Sequence, residues 1–95
     1  MENQQESAQP WPSDPREAMT RLVEEQGGLL FSLGMRFCGD SDEAEDLVQE
    51  TFIQAYRSWG SFEHRSKVST WLFSIASRVC QRMHRKRAGE PDHIG

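Results

Sequence analysis

The sequence predicts a single all-α domain of three helices joined by short connections. Three observations carry that prediction. Apolar residues recur at three-four spacing in three separate stretches. Capping and stop signals fall between those stretches. A chain of 95 residues with 36% hydrophobic side chains is enough for one small helical core and too short for two domains.

Residues 1–13 are polar, carry Pro10 and Pro12 and show no periodicity, so they read as a disordered leader in which Trp11 has no evident partner. Asp14-Pro15-Arg16-Glu17 then starts a helix. Asp14 suits the cap, Pro15 the first helical position, and Glu17 the acid of a capping box. Met19, Leu22, Val23, Gln26, Leu29, Leu30, Leu33 and Phe37 extend this helix to about Cys38, with Gly39 as its stop. The glycines inside it, Gly27, Gly28 and Gly34, each cost about 1 kcal/mol relative to alanine, which predicts a kink or a close approach.

Asp40, with Glu43 three residues on, opens the second helix. Ala44, Leu47, Val48, Thr51, Phe52, Ala55, Tyr56 and Trp59 form its apolar face, and Gly60 ends it. Asp42, Glu43, Glu45 and Asp46 crowd its first turn, where the helix dipole favours acids. A loop at 61–65 leads to a third helix beginning near Ser66. Val68, Trp71, Leu72, Ile75, Ala76, Val79 and Met83 mark its core side, and Arg78, Arg82, Arg85 and Lys86 its other side. Residues 88–95, with Gly89, Pro91 and Gly95, read as a linker, so the folded domain is expected to span 14–87.

Composition excludes several classes. Two cysteines 42 positions apart are not a disulfide scaffold and fit a reducing, cytoplasmic setting. No apolar run approaches the length of a membrane span, so no membrane insertion is expected. There is no glycine-rich phosphate loop, no GxSxG turn and no HExxH, and no enzyme is predicted. Cys80 and His84 are spaced i,i+4 and Cys38 is a conceivable third ligand, but a thiol and a base-flanked histidine read as filler. Neither metal nor cofactor is predicted. The net charge of −4 conceals a division. Residues 1–56 hold three bases against twelve acids, whereas residues 57–87 hold eight bases against one acid. Such asymmetry points to two partners of opposite character, one of them nucleic acid, although solvated helix faces also diverge in charge with no partner at all.

Two constellations stand out. On the second helix Asp46, Gln49, Glu50, Ile53 and Arg57 line up opposite the core stripe, an arrangement that suits helix docking with Ile53 as an apolar anchor inside a charged rim. A lone outward isoleucine also needs no function. The second is Phe62-Glu63-His64-Arg65-Ser66-Lys67-Val68-Ser69-Thr70-Trp71, where aromatics, bases and hydroxyls interleave ahead of a basic helix. Single-stranded nucleic acid is held by that combination, bases on aromatics and phosphates on Arg and Lys. Phe62 and Trp71 equally suit a core.

The run from Asp42 to Arg57, DEAEDLVQETFIQAYR, resembles the core-binding segment of bacterial sigma factors. Phe62, followed nine residues later by Trp71 in STWLFSIA, is similar to the adjoining promoter-melting segment, and the compact spacing is that of the extracytoplasmic-function group. The resemblance runs from about Arg16 to Arg87. It implies a compact three- to four-helix sigma-2 type bundle that binds core RNA polymerase and recognises and melts the promoter minus-ten element. By the same resemblance Asp46, Gln49 and Glu50 dock on the clamp coiled coil of the β′ subunit, with Ile53 and Tyr56 flanking the contact. Phe62 and the loop carrying Arg65 and Lys67 capture a flipped base of the single-stranded non-template strand. Thr70, Trp71, Ser74 and Arg78 face the upstream duplex edge, and Arg82, Arg85 and Lys86 lie on phosphates. Anti-sigma factors cover these surfaces in the family, so an inhibitor-held interaction module or a polymerase decoy is the alternative expectation. A helical nucleic-acid binder unrelated to polymerase leaves the Asp46–Ile53 face unexplained.

Two departures bear on specificity. Ser74 and Ile75 stand where housekeeping members carry paired tryptophans, which implies weaker strand separation and stricter promoter choice. Arg78 stands where the group often has asparagine, and arginine there either reads guanine or holds phosphate. The helix-turn-helix of region 4 that reads the minus-35 element is not within these residues, so 88–95 is expected to begin a linker towards it.

Overall fold

The computed structural model describes residues 10–87, with side chains through Arg85. The expected linker at 88–95 and residues 1–9 of the expected leader lie outside the described residues. Helix α1 spans Pro15–Cys38, α2 Ser41–Ser58 and α3 Val68–Arg87, with a single 3-10 turn at Trp59–Ser61. The starts follow the capping chemistry of the sequence. Glu17 N–H donates to Asp14 Oδ2 at 3.2 Å and Glu43 N–H to Asp40 Oδ2 at 3.1 Å, so each aspartate satisfies an otherwise orphaned donor. Gly39 ends α1 at φ 72°, its N–H donating to the Met35 carbonyl at 2.8 Å.

The buried residues of α1 fall every fourth position: Ala18, Leu22, Gln26, Leu30, Gly34 and Cys38. A four-residue step overshoots a full turn by about 40°, so this row winds around the helix as it follows its partners. The broad stripe read from the sequence does not follow that winding. Val23 and Phe37, members of the same apolar series as the buried Leu22 and Leu30, are 49% and 57% exposed. Gly34 is where α1 meets α2 most closely. A Cβ there would lie 3.0 Å from Ala44 Cβ and 3.1 Å from Ala44 Cα, so any side chain requires α2 to give by a few tenths of an ångström. The expectation of a kink or a close approach resolves at this residue into a close approach.

Helix α2 is the middle element, packing along α1 on one side and against α3 on the other. Ala44, Leu47, Thr51 and Ala55 are buried, and the Thr51 hydroxyl is satisfied by donating to the Leu47 carbonyl at 2.6 Å. Tyr56, placed on the apolar face by spacing, is instead 45% exposed. Trp59 leaves the helical register and opens the 3-10 turn, which closes with Phe62 N–H on the Trp59 carbonyl at 3.2 Å. Helix α3 starts two residues later than the sequence suggested. Ser66 lies in a bend, and the first helical bond runs from Trp71 N–H to the Lys67 carbonyl at 3.1 Å. Val68, Leu72, Ile75, Ala76 and Val79 complete the core with Leu22, Leu30, Leu47 and Trp59. No described helix is long and apolar enough to cross a membrane.

The leader is not wholly loose. The Trp59 indole N–H donates to the Pro12 carbonyl at 3.0 Å and the Trp11 ring lies 5.7 Å from that of Trp59. Arg21 covers the other side of this strap, its guanidinium 3.8 Å from the Trp11 ring centre and its Nη1 donating to the Pro10 carbonyl at 2.9 Å. Trp11 therefore has the partner that its local sequence does not reveal.

Candidate protein-docking and nucleic-acid interfaces

The residues expected to dock occupy one side of α2. Asp46, Gln49 and Ile53 are exposed, Ile53 to 44%, and Tyr56 stands beside them. With the half-buried Glu50 and with Arg82 and Met83 of α3, Asp46, Gln49 and Ile53 line an open groove between the two helices. Glu50 is held rather than free to swing: its Oε2 accepts from Gln54 Nε2 at 3.2 Å and from Arg82 Nη2 at 3.4 Å. Arg82, assigned by resemblance to phosphates, thus links the acidic helix to the basic one. At about one-third exposure such a pair contributes at most about 1 kcal/mol and remains exchangeable for another anion.

Beyond Ile53 the surface stays apolar. Val23 and Phe31 of α1 and Val48 and Phe52 of α2 flank a shallow second groove, and Gly27 and Gly28 leave its α1 wall low for want of side chains. Sequence reasoning missed this strip because spacing alone puts Val23 in one series with the buried Leu22 and Leu30. The glycine pair was its one visible signal.

The nucleic-acid candidates divide into a loop, an aromatic cluster and a helix row. Thr70, Ser74, Arg78 and Arg85 are exposed on the outer side of α3, spaced so that they line up away from the buried Leu72, Ile75 and Val79. Ser74 Oγ donates to the Trp71 carbonyl at 2.7 Å, which leaves its lone pairs outward. The Lys86 side chain lies outside the described residues. Arg65 and Lys67 are exposed in the loop, where Arg65 Nε meets Glu63 Oε1 at 3.0 Å in a pair open to solvent.

Between loop and helix sits the aromatic cluster, with Trp59 at its centre. Its ring lies 5.9 Å from Phe62, 5.3 Å from His64 and 5.6 Å from Trp71. Phe62 and Trp71, the two aromatics chosen from the sequence, are stacked at 4.4 Å with planes 16° apart. Each is half-buried and packs against the core cluster. Trp59, Trp11 and His64 are the members that sequence reasoning did not bring together. Their contacts cross up to 48 positions, and no local period encodes that. Cys80 Sγ lies 3.8 Å from His84 Nε2, and the described residues contain no group of three or more potential metal ligands.

A capped acidic helix with an apolar anchor on its open side, joined through an aromatic cluster to a helix with a basic outer row, defines a compact two-faced helical module. The chain belongs to the sigma-70 region 2 family, whose model matches residues 22–90, and its relatives lie in the extracytoplasmic-function group. It is similar to the ECF RNA polymerase sigma factor SigW of Bacillus subtilis (36% identical over 78 residues, 82% of this chain and 41% of the relative). It is likewise similar to the RNA polymerase sigma-H factor of Pseudomonas aeruginosa (41% over 61 residues, 64% of this chain and 32% of the relative). The ECF RNA polymerase sigma factor SigX of Bacillus subtilis is 44% identical over 48 residues, 50% of this chain and 25% of the relative. The chain spans less than half the length of these curated relatives. No solved structure matches it.

Proposed function

We propose that the chain acts in the cytoplasm in transcription initiation, joining core RNA polymerase to the minus-ten element of a promoter. The observation that carries this reading is the stacked Phe62–Trp71 pair between an exposed basic row on α3 and the Asp46–Ile53 side of α2. On the protein side, Asp46, Gln49 and Glu50 meet the clamp coiled coil of the β′ subunit, and Ile53 with Tyr56 supplies the apolar contact. On the DNA side, Phe62 with the Arg65–Lys67 loop takes a flipped base of the non-template strand. Thr70, Trp71, Ser74 and Arg78 face the duplex edge of the bubble, and Arg82, Arg85 and Lys86 neutralise phosphates.

Glu50→Lys is expected to weaken binding to a β′ coiled-coil fragment by about tenfold, and Gln49→Ala to do so by less. Calorimetric titration checks this, and unchanged affinity for both variants would overturn the docking face. The variants stay folded, because the Glu50–Arg82 pair contributes little to stability.

Binding to single-stranded DNA is expected to weaken with salt. Each neutralised phosphate contributes about −0.7 to the slope of log K against log salt, so three basic contacts give a slope of about −2. Anisotropy titrations of a labelled random-sequence single-strand pool at several salt concentrations measure it. A flat profile would remove Arg82, Arg85 and Lys86 from the phosphates.

A second reading, restraint by an anti-sigma factor, is favoured by the apolar strip of Val23, Phe31 and Phe52 that continues the docking side past Ile53. Such a strip suits a protein partner and not a phosphate backbone.

A further inference from the structure

We propose that the captured base sits on the face of Phe62 that the His64 ring covers in the free protein, and that capture proceeds by displacing His64. The proposal rests on the reading of Phe62 as the base-capturing aromatic. Both faces of that ring are occupied. The Trp71 indole is stacked on it at 4.4 Å, and the His64 imidazole lies 4.3 Å away with planes 41° apart. Aromatic carbons in contact are about 3.5 Å apart, and edge-on approach holds ring centres at about 5 Å or more. Each neighbour therefore lies over a face of Phe62. Two rings so close to a third cannot share one face without overlapping, so Trp71 and His64 hold opposite faces.

The two neighbours are not equally removable. Trp71 belongs to the first turn of α3, is half-buried and packs against the core beside Trp59. Lifting it away opens the domain. His64 is exposed, lies in the connection between the 3-10 turn and α3, and touches Trp59 only edge-on, with planes 87° apart. Its backbone has φ 59°, the one left-handed non-glycine residue among those described. That conformation costs an L-residue about 1 kcal/mol or more, although histidine tolerates it better than most. Swinging the His64 side chain outward exposes a full aromatic face and leaves the Phe62–Trp71 stack in place. The imidazole is thus a flat stand-in for a base. Base stacking on an aromatic, at about 1–3 kcal/mol, is strong enough to replace it. While the stand-in is seated, apparent affinity is reduced by the fraction of molecules whose face is free.

The test is the affinity of the 95-residue chain for a short labelled random-sequence single-strand pool, compared among wild type, His64→Asn and His64→Trp. Asparagine tolerates the left-handed backbone and has no ring to stack. Displacement predicts that His64→Asn binds about three- to tenfold more tightly than wild type and that His64→Trp binds more weakly. The opposite order, in which a larger ring strengthens binding, would make His64 part of the base's own stack and overturn the proposal, as would equal affinities. Phe62→Ala separates the two levels. If it abolishes wild-type binding, the order of the His64 variants decides the seat. If it changes nothing, base capture by Phe62 fails, and the seat fails with it.

Discussion

Gly34→Leu is expected to cost the domain about 3 kcal/mol or more of its stability. The first side-chain carbon already falls 3.0 Å from Ala44 Cβ and 3.1 Å from Ala44 Cα, and the Leu47 Cδ2 atom is 3.3 Å away. Two of those atoms are fixed to the α2 backbone or one bond from it, so relief requires α1 and α2 to move apart along their longest contact. Overpacking of this kind costs about 1–3 kcal/mol for a few added methylenes, and more when backbone must shift. A domain of this size has about 4–12 kcal/mol in total. Gly34→Ala pits the same clash against about 1 kcal/mol of helix propensity and should lose much less. Gly28→Ala supplies the opposite sign. Nothing lies within 4 Å of its added carbon, so the propensity gain is uncontested and stability should rise by about 0.5–1 kcal/mol. Urea denaturation followed by circular dichroism orders the three. A Gly34→Leu variant as stable as wild type would mean that the helices do not meet at this residue.

Trp59→Ala should be nearly as damaging, for a different reason. Trp59 is 3% exposed and its ring touches three segments: the Trp11 strap, the Phe62–His64 connection and the start of α3. Truncating a buried tryptophan costs about 3–5 kcal/mol, and here it also strands the Pro12 carbonyl. Trp59→Phe keeps the ring contacts and loses the indole donor, so it should cost only about 1 kcal/mol more than the packing change itself. Thermal denaturation gives the stabilities. Single-strand binding by Trp59→Phe should persist, because Phe62 and Trp71 retain their mutual stack. A Trp59→Ala protein with wild-type melting behaviour would contradict the central position of the indole.

The contrast between these two residues marks how far the sequence could be read. Helix starts at Asp14 and Asp40 and the stop at Gly39 were legible because a cap is a local matter, settled within three or four residues. The outward side of α2 and the basic row of α3 were legible for the same reason. Burial on α1 was not. Spacing finds an apolar side, but which part of it is covered depends on how the neighbouring helices cross, and that left Val23 and Phe37 outside. The start of α3 moved from near Ser66 to Val68 because the chain bends at Ser66. The Arg82–Glu50 contact spans 32 positions and the Trp11–Trp59 contact 48, so neither leaves a local trace. The three glycines of α1 looked alike in sequence, and only the partner helix distinguishes Gly34 from Gly28.

The strap ahead of α1 has a practical bearing on how the molecule is handled. Pro10 is tied to Arg21 and Pro12 to Trp59, so the described chain enters the fold against the Trp59 indole. Cutting the chain back past Pro12 would strip the Trp11 ring from that indole and leave its N–H without its acceptor, so a shortened version of this domain has to keep Pro10–Pro12.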